Sequence, residues 1–282
     1  MIKKGRVLIG MLGLVMSAPI FAERPLKALI VDGQNNHQWR ETTPVLKKIL
    51  EETGLFMVEV ATSPPEGEDL SAFKPDFTKY EVVVSNYNGK SWSDEALQAL
   101  VEYVGSGGGF VSFHAADNAF PEFQEYNEMI GLGGWGERDE RWGPYVHFEN
   151  GQLVFNQSPG KGGGHGRRHR FEIVMRNMGH PITSGLPRKW VHDEDELYHR
   201  LRGPAKNMTI LATAYSDPQT GGTGDNEPML FIVDYGHGRV FHTTLGHSTQ
   251  AMKSQGFIVT LQRGAEWAAY GKVTQKVPTN FK

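Results

Sequence analysis

The sequence predicts an α/β protein whose mostly parallel sheet is flanked by helices on both faces. Residues 26–31 (LKALIV) form a continuous apolar run, which is typical of a strand buried on both of its faces. Strand and helix patterns then alternate along the first half of the chain. Such alternation favours parallel strands joined by helical crossovers.

Apolar spacing and capping residues place the elements of this first half. Further strands are predicted at residues 57–61, 80–85 and 110–113. A first helix is expected to be capped by Thr43, with Pro44 at its first position, and to stop at Gly54. A second helix is expected to follow the capping residue Ser93.

The second half of the chain is predicted to be rich in β-structure. Shorter strands are expected between glycine-rich loops at residues 152–157, 169–176, 196–201 and 208–215. Residues 229–245 predict a β-hairpin that turns at residues 236–238, and residues 257–270 predict a closing helix. With no internal repeat and no long linker, residues 23–282 are interpreted as a single domain.

The first 22 residues have the pattern of a secretory signal peptide. Lys3, Lys4 and Arg6 precede an apolar run at residues 7–16, and a processing site is expected after Ala22. The run is short for a membrane span, although a retained N-terminal anchor is the alternative. The sequence therefore predicts a periplasmic or secreted protein with no membrane span after signal removal. The chain has no cysteine, which excludes disulfides and a lipoprotein attachment site.

Composition and charge narrow the classes of function. Hydrophobic residues make up 39% and charged residues 22% of the chain, as expected for a packed globular core. The formal net charge of -3 argues against a nucleic-acid partner, which normally requires a basic face.

Polar side chains cluster just beyond the predicted strand ends. His37 and its amide neighbours follow the first strand, Asn88 follows the third, His114 the fourth and His247 the last. Because ligands of parallel α/β sheets bind beyond the carboxyl ends of the strands, these distant segments are expected to converge on one site.

Five segments of the chain, in order, resemble signatures of the ThuA (trehalose utilisation) family. They are residues 32–39, 110–116, 180–183, 195–198 and 238–247. The resemblance spans residues 26 to about 271 and implies a flavodoxin-like sheet related to the class I glutamine amidotransferases, with an added β-rich second half. It also implies a link to disaccharide breakdown, including routes through 3-keto sugars.

The absence of cysteine separates this chain from the amidotransferases. Those enzymes carry a nucleophilic cysteine on a sharp turn after the strand that corresponds to residues 110–113, and His114 stands at that position here. Because their acyl-enzyme chemistry needs a thiolate, glutamine hydrolysis by that route is excluded.

Histidines and a carboxylate are the candidates for chemistry, as acid/base groups or as ligands of a divalent metal such as zinc. The candidate metal ligands are His37, His114, His147 and His247. The candidate catalytic residues are His114, His247 and Glu196. Since no pair has the spacing of a helical zinc motif, a metal site would have to be assembled from distant segments. Strand alternation favours Glu196, together with Tyr198, over Asp195 as the carboxylate that faces the site.

Other polar and aromatic side chains are candidates for contacts with a sugar. The expected substrate-binding residues are Asn36, His37, Asn88, Trp135, Trp142, His180 and Tyr198. His180 has a second interpretation, in which it braces a turn with Pro181. The glycine-rich segment around His165 is interpreted as a solvated loop in preference to a lid, and His242 is expected to face a different side from His247.

Two classes of function remain open from the sequence. In the first, the protein is a periplasmic carbohydrate-processing enzyme (a hydrolase, lyase or isomerase) that acts on a glycoside or keto-sugar. In the second, it is a non-catalytic sugar-binding or scaffolding protein that kept the fold after losing the nucleophile. A small-molecule sugar is the expected partner in both, and either is compatible with an oligomer.

Overall fold

The computed structural model describes residues 24–281, so the predicted signal peptide lies outside the described residues. The described chain contains thirteen strands and four α-helices. The strands are β1 (Leu26–Asp32), β2 (Phe56–Thr62), β3 (Val82–Ser85), β4 (Gly109–Phe113), β5 (Tyr145–Glu149), β6 (Gln152–Asn156), β7 (Gly164–His165), β8 (His169–Met175), β9 (Lys189–Asp195), β10 (Tyr198–His199), β11 (Met208–Tyr215), β12 (Asn226–Tyr235) and β13 (Gly238–Thr243). The helices are α1 (Trp39–Glu51), α2 (Asp94–Gly105), α3 (Gln124–Ile130) and α4 (Gln255–Tyr270).

One mixed sheet organises the molecule. Its strand order is β2-β1-β3-β4-β13-β12-β11-β8-β9, and β5 and β6 extend it from β12. The first five strands pair in parallel, and the remaining pairs along this path are antiparallel. The predicted α/β class is confirmed: a flavodoxin-like parallel half is joined through β13 to a β-rich second half.

Helices cover both faces of the parallel strands. Alternate residues of β1 enter different cores, since Ile30 packs with α1 and α4 while Leu29 packs with α2 and α3. Both residues are at most 2% exposed, which explains why this strand has a continuous apolar sequence instead of an alternating one.

The largest differences from the predicted elements concern the start of α1 and the segment after β9. Helix α1 begins at Trp39, earlier than predicted, because the backbone N–H groups of Glu41 and Thr42 already donate to the carbonyl of Gln38. Pro44 therefore lies inside the helix and not at its first position. The strand predicted at 196–201 is also wrong, because β9 ends at Asp195 and only the short β10 follows.

Several elements were not predicted, among them α3, β5 and β7. Ser93 does cap α2 as expected, since its hydroxyl accepts a hydrogen bond from the N–H of Ala96. Within residues 24–281, no helix is long and apolar enough to cross a membrane.

Candidate functional site

Four segments from different parts of the chain meet beyond the carboxyl end of the parallel strands. His37 lies between β1 and α1, His114 follows β4, His247 follows β13, and Glu196 lies between β9 and β10. Each of these residues contributes one ring nitrogen or carboxylate oxygen, and the four atoms lie within 4.8 Å of one another. The first three positions follow from the topology, since parallel strands end at the same edge of the sheet.

The carboxylate of Glu196 is the centre of this cluster. Its Oε2 lies 3.1 Å from Nδ1 of His247, 3.8 Å from Nε2 of His114 and 3.9 Å from Nε2 of His37. Burial opposes ionisation of Glu196, but hydrogen bonds from the protonated forms of the His247 and His37 rings and the charge of protonated His114 outweigh it. The pKa of Glu196 is therefore held well below its ordinary value, and the group is a carboxylate at neutral pH.

His114 stands on a strained turn, with a backbone φ of 45°. Its Nδ1 lies 2.6 Å from the carbonyl oxygen of Thr244 and must carry a hydrogen, because that oxygen can only accept. Its Nε2 keeps a lone pair, to which the hydroxyl of Tyr198 donates at 2.9 Å. Burial, with the nearby ring of His37, lowers the pKa of His114 to about 3, so the ring is neutral at neutral pH.

His37 is oriented in the same way by an amide. Its Nδ1 lies 3.0 Å from Oδ1 of Asn35, which also accepts a hydrogen bond from the backbone N–H of His37. With its hydrogen on Nδ1, the ring presents the lone pair of Nε2 to Glu196. Asn35 is in turn held by Asn86, which follows β3.

Asp195 holds the His247 segment in place without facing the pocket. Its fully buried carboxylate accepts hydrogen bonds from the backbone N–H groups of Gly246 at 2.7 Å and His247 at 3.0 Å. It also lies 2.8 Å from Nε2 of His192. Burial raises the pKa of Asp195, but the hydrogen bond and charge interaction with His192 outweigh burial, so this pKa lies below its usual value.

The donor set fits a divalent transition metal. Two rings have their lone pairs on Nε2, and Nδ1 of His247 is buried without a hydrogen-bond partner among the described residues, despite its closeness to Glu196. Neutral imidazole nitrogens combined with a carboxylate are typical ligands of zinc and related metals. A metal at Nε2 of His114 would replace the hydrogen bond from Tyr198.

The cluster lies on the wall of a cavity of about 270 Å³. The cavity is lined by Asn36, His37, Gln38, Asn118, Trp135, His165, Glu196, Tyr198 and His247. A groove of about 900 Å³ adjoins it and has Asn36, Asn118 and Trp135 in common with it. The ring of Trp135, whose backbone φ is 54°, lies 4.7 Å from that of Tyr198. An aromatic ring is therefore presented where the two cavities meet.

Most of the sequence-derived site residues are brought together here. Those at the cavity are Asn36, His37, Trp135, Glu196, Tyr198 and His247, with His114 directly behind them. Asn88 lies in the adjoining groove, where its amide donates to Oδ1 of Asn36 at 2.5 Å. The carboxylate of Asp195, by contrast, faces the backbone N–H groups of Gly246 and His247.

Three of the expected site residues lie outside this cavity. His147 lines a separate cavity together with His199 and Glu227. The indole of Trp142 donates to the carbonyl of Pro121, outside the cavity. His180 packs edge-on against Trp267, with ring centroids 4.9 Å apart, and its Nδ1 accepts from the N–H of Ile182. These contacts support the bracing role for His180.

His165 is a pocket residue that sequence reasoning missed. In place of the expected solvated loop, β7 pairs with β10 and brings Nε2 of His165 to 3.7 Å from Oε1 of Glu196. The available signal was a histidine directly after three glycines. His242 does face another side, as expected, with its Nδ1 on the carbonyl of Ile130.

Fold and site together define an α/β protein of flavodoxin-like topology, with an imidazole-rich pocket beyond the carboxyl ends of its parallel strands. The sequence profile of the ThuA family, described as trehalose utilisation, matches residues 27–268. The chain therefore belongs to the ThuA family.

Comparison with solved structures agrees with this assignment. A protein from Parabacteroides merdae ATCC 43184 described as ThuA-like is 51% identical, with a TM-score of 0.89, over 92% of this chain and 95% of that one. A second ThuA-like protein, from Bacteroides uniformis ATCC 8492, is 18% identical with a TM-score of 0.60, over 90% and 95% of the two chains. This second likeness concerns the fold alone. No curated protein matches the chain.

Proposed function

We propose that this protein is a metal-dependent enzyme of carbohydrate breakdown that processes a glycoside or 3-keto-glycoside. The observation that carries the proposal is the convergence of His37, His114, His247 and Glu196, whose ligand atoms lie within 4.8 Å of one another. Structural histidines usually satisfy backbone groups singly. A cluster in which three rings each direct a nitrogen toward the same carboxylate favours a chemical role.

The residues around the cluster suit a polyhydroxylated substrate. Asn36 and Tyr198 offer hydrogen bonds to hydroxyl groups, and the partly exposed Trp135 offers an apolar platform for the face of a sugar ring. A bound divalent metal would polarise a carbonyl or hydroxyl oxygen of the substrate. The cavity of about 270 Å³ has room for one sugar ring, and the adjoining groove has room for a second.

The description of the family, trehalose utilisation, supports a glycoside as the substrate class. The N-terminal sequence pattern supports a periplasmic or secreted location, where such a substrate would be met before uptake.

Metal analysis combined with a substrate panel tests the proposal. Protein beginning at residue 23 would be purified, stripped with a chelator and reconstituted with zinc, manganese or cobalt. It would then be incubated with 3-keto-trehalose and related 3-keto-glycosides. We expect about one tightly bound ion per chain and turnover that is lost on chelation.

His114→Ala and His147→Ala form a matched pair for this experiment. The first should lose both metal and turnover, whereas the second removes a histidine from a separate cavity and should keep both. Failure of every sugar in the panel to turn over would reject the enzyme. Sugar binding without a metal and without turnover would support the sugar-binding alternative instead.

A further inference from the structure

We infer that His165 is a substrate-contacting residue that accepts a hydrogen bond from a sugar hydroxyl and does not bind the metal. The inference rests on the proposed function, because it assigns a role within the same site. It adds His165 to the site and specifies the substrate group that this residue recognises, a hydroxyl that donates a hydrogen bond.

The two oxygens of Glu196 face different partners. Oε2 faces the three rings of the candidate metal cluster, whereas Oε1 faces Nε2 of His165 at 3.7 Å. His165 therefore lies across the carboxylate from the other histidines. It is not a member of the group whose ligand atoms converge within 4.8 Å.

The hydrogen-bond pattern of the ring fixes what His165 can do. Its Nδ1 lies 2.8 Å from the carbonyl oxygen of Gly166, which can only accept, so Nδ1 carries a hydrogen; in this tautomer Nε2 has a lone pair. Nε2 and Oε1 of Glu196 are then two acceptors that face each other across 3.7 Å. A hydroxyl group placed between them can lie at about 2.8 Å from both atoms and donate to either.

The ring of His165 is also more accessible from solvent than the rings of the cluster. The side chain of His165 is 38% exposed, against 2% for His114 and 20% for His247. Its ring lies 6.3 Å from that of Trp135. A sugar that stacks on Trp135 would therefore bring its hydroxyl groups toward His165.

The segment that carries His165 is held in place by the rest of the protein. We call residues 160–166 the glycine strap. The N–H of Gly162 donates to the carbonyl of Arg138 at 2.7 Å, and that of Gly163 donates to the carbonyl of Arg200 at 2.8 Å. A Cβ on Gly164 would lie 2.6 Å from Nε2 of His199. Glycine lets the strap pass close to its neighbours, and the strap then presents the imidazole in a defined orientation.

Calorimetric titrations with zinc and with sugars test the inference on four proteins. They are the wild type, His165→Ala, His165→Gln and the control His169→Ala. His169 lies in the same stretch of chain but outside the cavity. The sugar probes are trehalose and 3-keto-trehalose, each added to the zinc-loaded protein.

In His165→Ala we expect unchanged zinc stoichiometry, zinc affinity within about threefold, and sugar affinity lowered about tenfold by the lost hydrogen bond. His165→Gln should recover part of the sugar affinity, since its amide oxygen can accept. His169→Ala should match the wild type in both titrations.

Each contrary outcome overturns the inference. Loss of zinc from His165→Ala would make His165 a metal ligand, and unchanged sugar affinity would make it a bystander. Failure of the wild type to bind either sugar would reject a hydroxyl-accepting role. Sugar binding without turnover, in contrast, would count against the proposed enzyme only, so the two failures are distinguishable.

Discussion

Asp195 influences the site through backbone hydrogen bonds and not through contact with a ligand. Its carboxylate accepts hydrogen bonds from the backbone N–H groups of Gly246 and His247. It therefore fixes the position of the backbone that carries the ring of His247. A buried carboxylate satisfied in this way is costly to alter, because its partners would be left without an acceptor.

Asp195→Asn is therefore expected to destabilise the protein by about 3 kcal/mol, since the new NH2 group would face backbone donors. Zinc affinity should fall as well, because His247 is no longer held. Urea unfolding and zinc titration measure the two effects. Asp193→Asn is the control, since Asp193 makes only a partly exposed ion pair with Arg170 at 3.9 Å. Equal destabilisation by both substitutions would contradict the positioning role.

The raised pKa of Glu227 predicts a pH dependence of the free energy of unfolding that is unrelated to the candidate site. Burial raises its pKa to about 7, against hydrogen bonds from Thr223 and the backbone of Arg200 that favour the charged form. The folded state holds the proton of Glu227 more tightly than the unfolded state does. This proton therefore stabilises the folded state fully below the ordinary pKa of glutamate, and the stabilisation is lost as the pH rises through about 7.

Glu227 alone should lower the free energy of unfolding by about 3 kcal/mol between pH 5 and pH 8. Buried His114 acts in the opposite sense below about pH 6.5, because its pKa is lowered in the folded state, so the effect of Glu227 is read from the difference between wild type and variant. Relative to the wild type, Glu227→Gln should become more stable as the pH rises from 5 to 8, as measured by urea unfolding at several pH values. A difference between the two proteins that does not change with pH would show that another group is responsible.

At the scale of elements, the glycine strap and β10 form the boundary between two cavities. His165 and Tyr198 face the site, whereas Gly163 and His199 line the separate cavity that contains His147. The strap must pass close to Trp135, because a Cβ on Gly163 would lie 2.6 Å from the backbone nitrogen of Trp135.

Gly163→Ala and Gly151→Ala separate backbone strain from steric collision. Both glycines have φ of 83°, but nothing lies within 4 Å of a Cβ on Gly151. Gly151→Ala should cost about 1 kcal/mol from the left-handed backbone alone. Gly163→Ala should cost about 2 kcal/mol more and lower sugar affinity, as measured by urea unfolding and titration. Similar costs at the two positions would indicate that the strap can move aside.

The sequence predicted the strands with strong local patterns and the residues that follow them. His37, His114 and His247 lie in the loops that follow buried parallel strands, so the topology brings them to one edge of the sheet. Glu196 was favoured from strand alternation, although its segment is not the predicted strand: β9 ends one residue before it. Its position depends on the packing of the antiparallel half, which has no local signature.

Sequence patterns do not distinguish the residues that line the cavity from those that lie outside it. His147, Trp142 and His180 have the same side-chain chemistry as the residues that line the cavity, and only the fold separates them. His165 was missed for the converse reason. A glycine-rich segment has weak local preferences, and the pairing of β7 with β10 orders it from outside.

At the scale of the whole molecule, the site joins the parallel and antiparallel halves. His37 and His114 belong to the parallel half, Glu196 follows the antiparallel edge strand β9, and His247 follows the strand between the halves. A ligand that contacts all four residues would therefore stabilise the domain as one cooperative unit.

Zinc at a hundred times its Kd is expected to raise the free energy of unfolding by about 2.7 kcal/mol. Far-UV circular dichroism and tryptophan fluorescence should follow a single coincident transition that shifts as a whole. His114→Ala should show no such shift, while His147→Ala should respond like the wild type. Two separate transitions, with only one moved by zinc, would contradict the joining of the halves.

The left-handed backbone at His114 restricts which residues evolution can place at this turn. Its φ of 45° suits histidine, which is among the non-glycine residues that adopt positive φ more readily than most. A β-branched residue here would strain the backbone. Any residue that replaced His114 would also leave the carbonyl of Thr244 and the hydroxyl of Tyr198 without their ring partner. The side chain at this position is therefore restricted twice, by the turn that carries it and by the two groups that orient it.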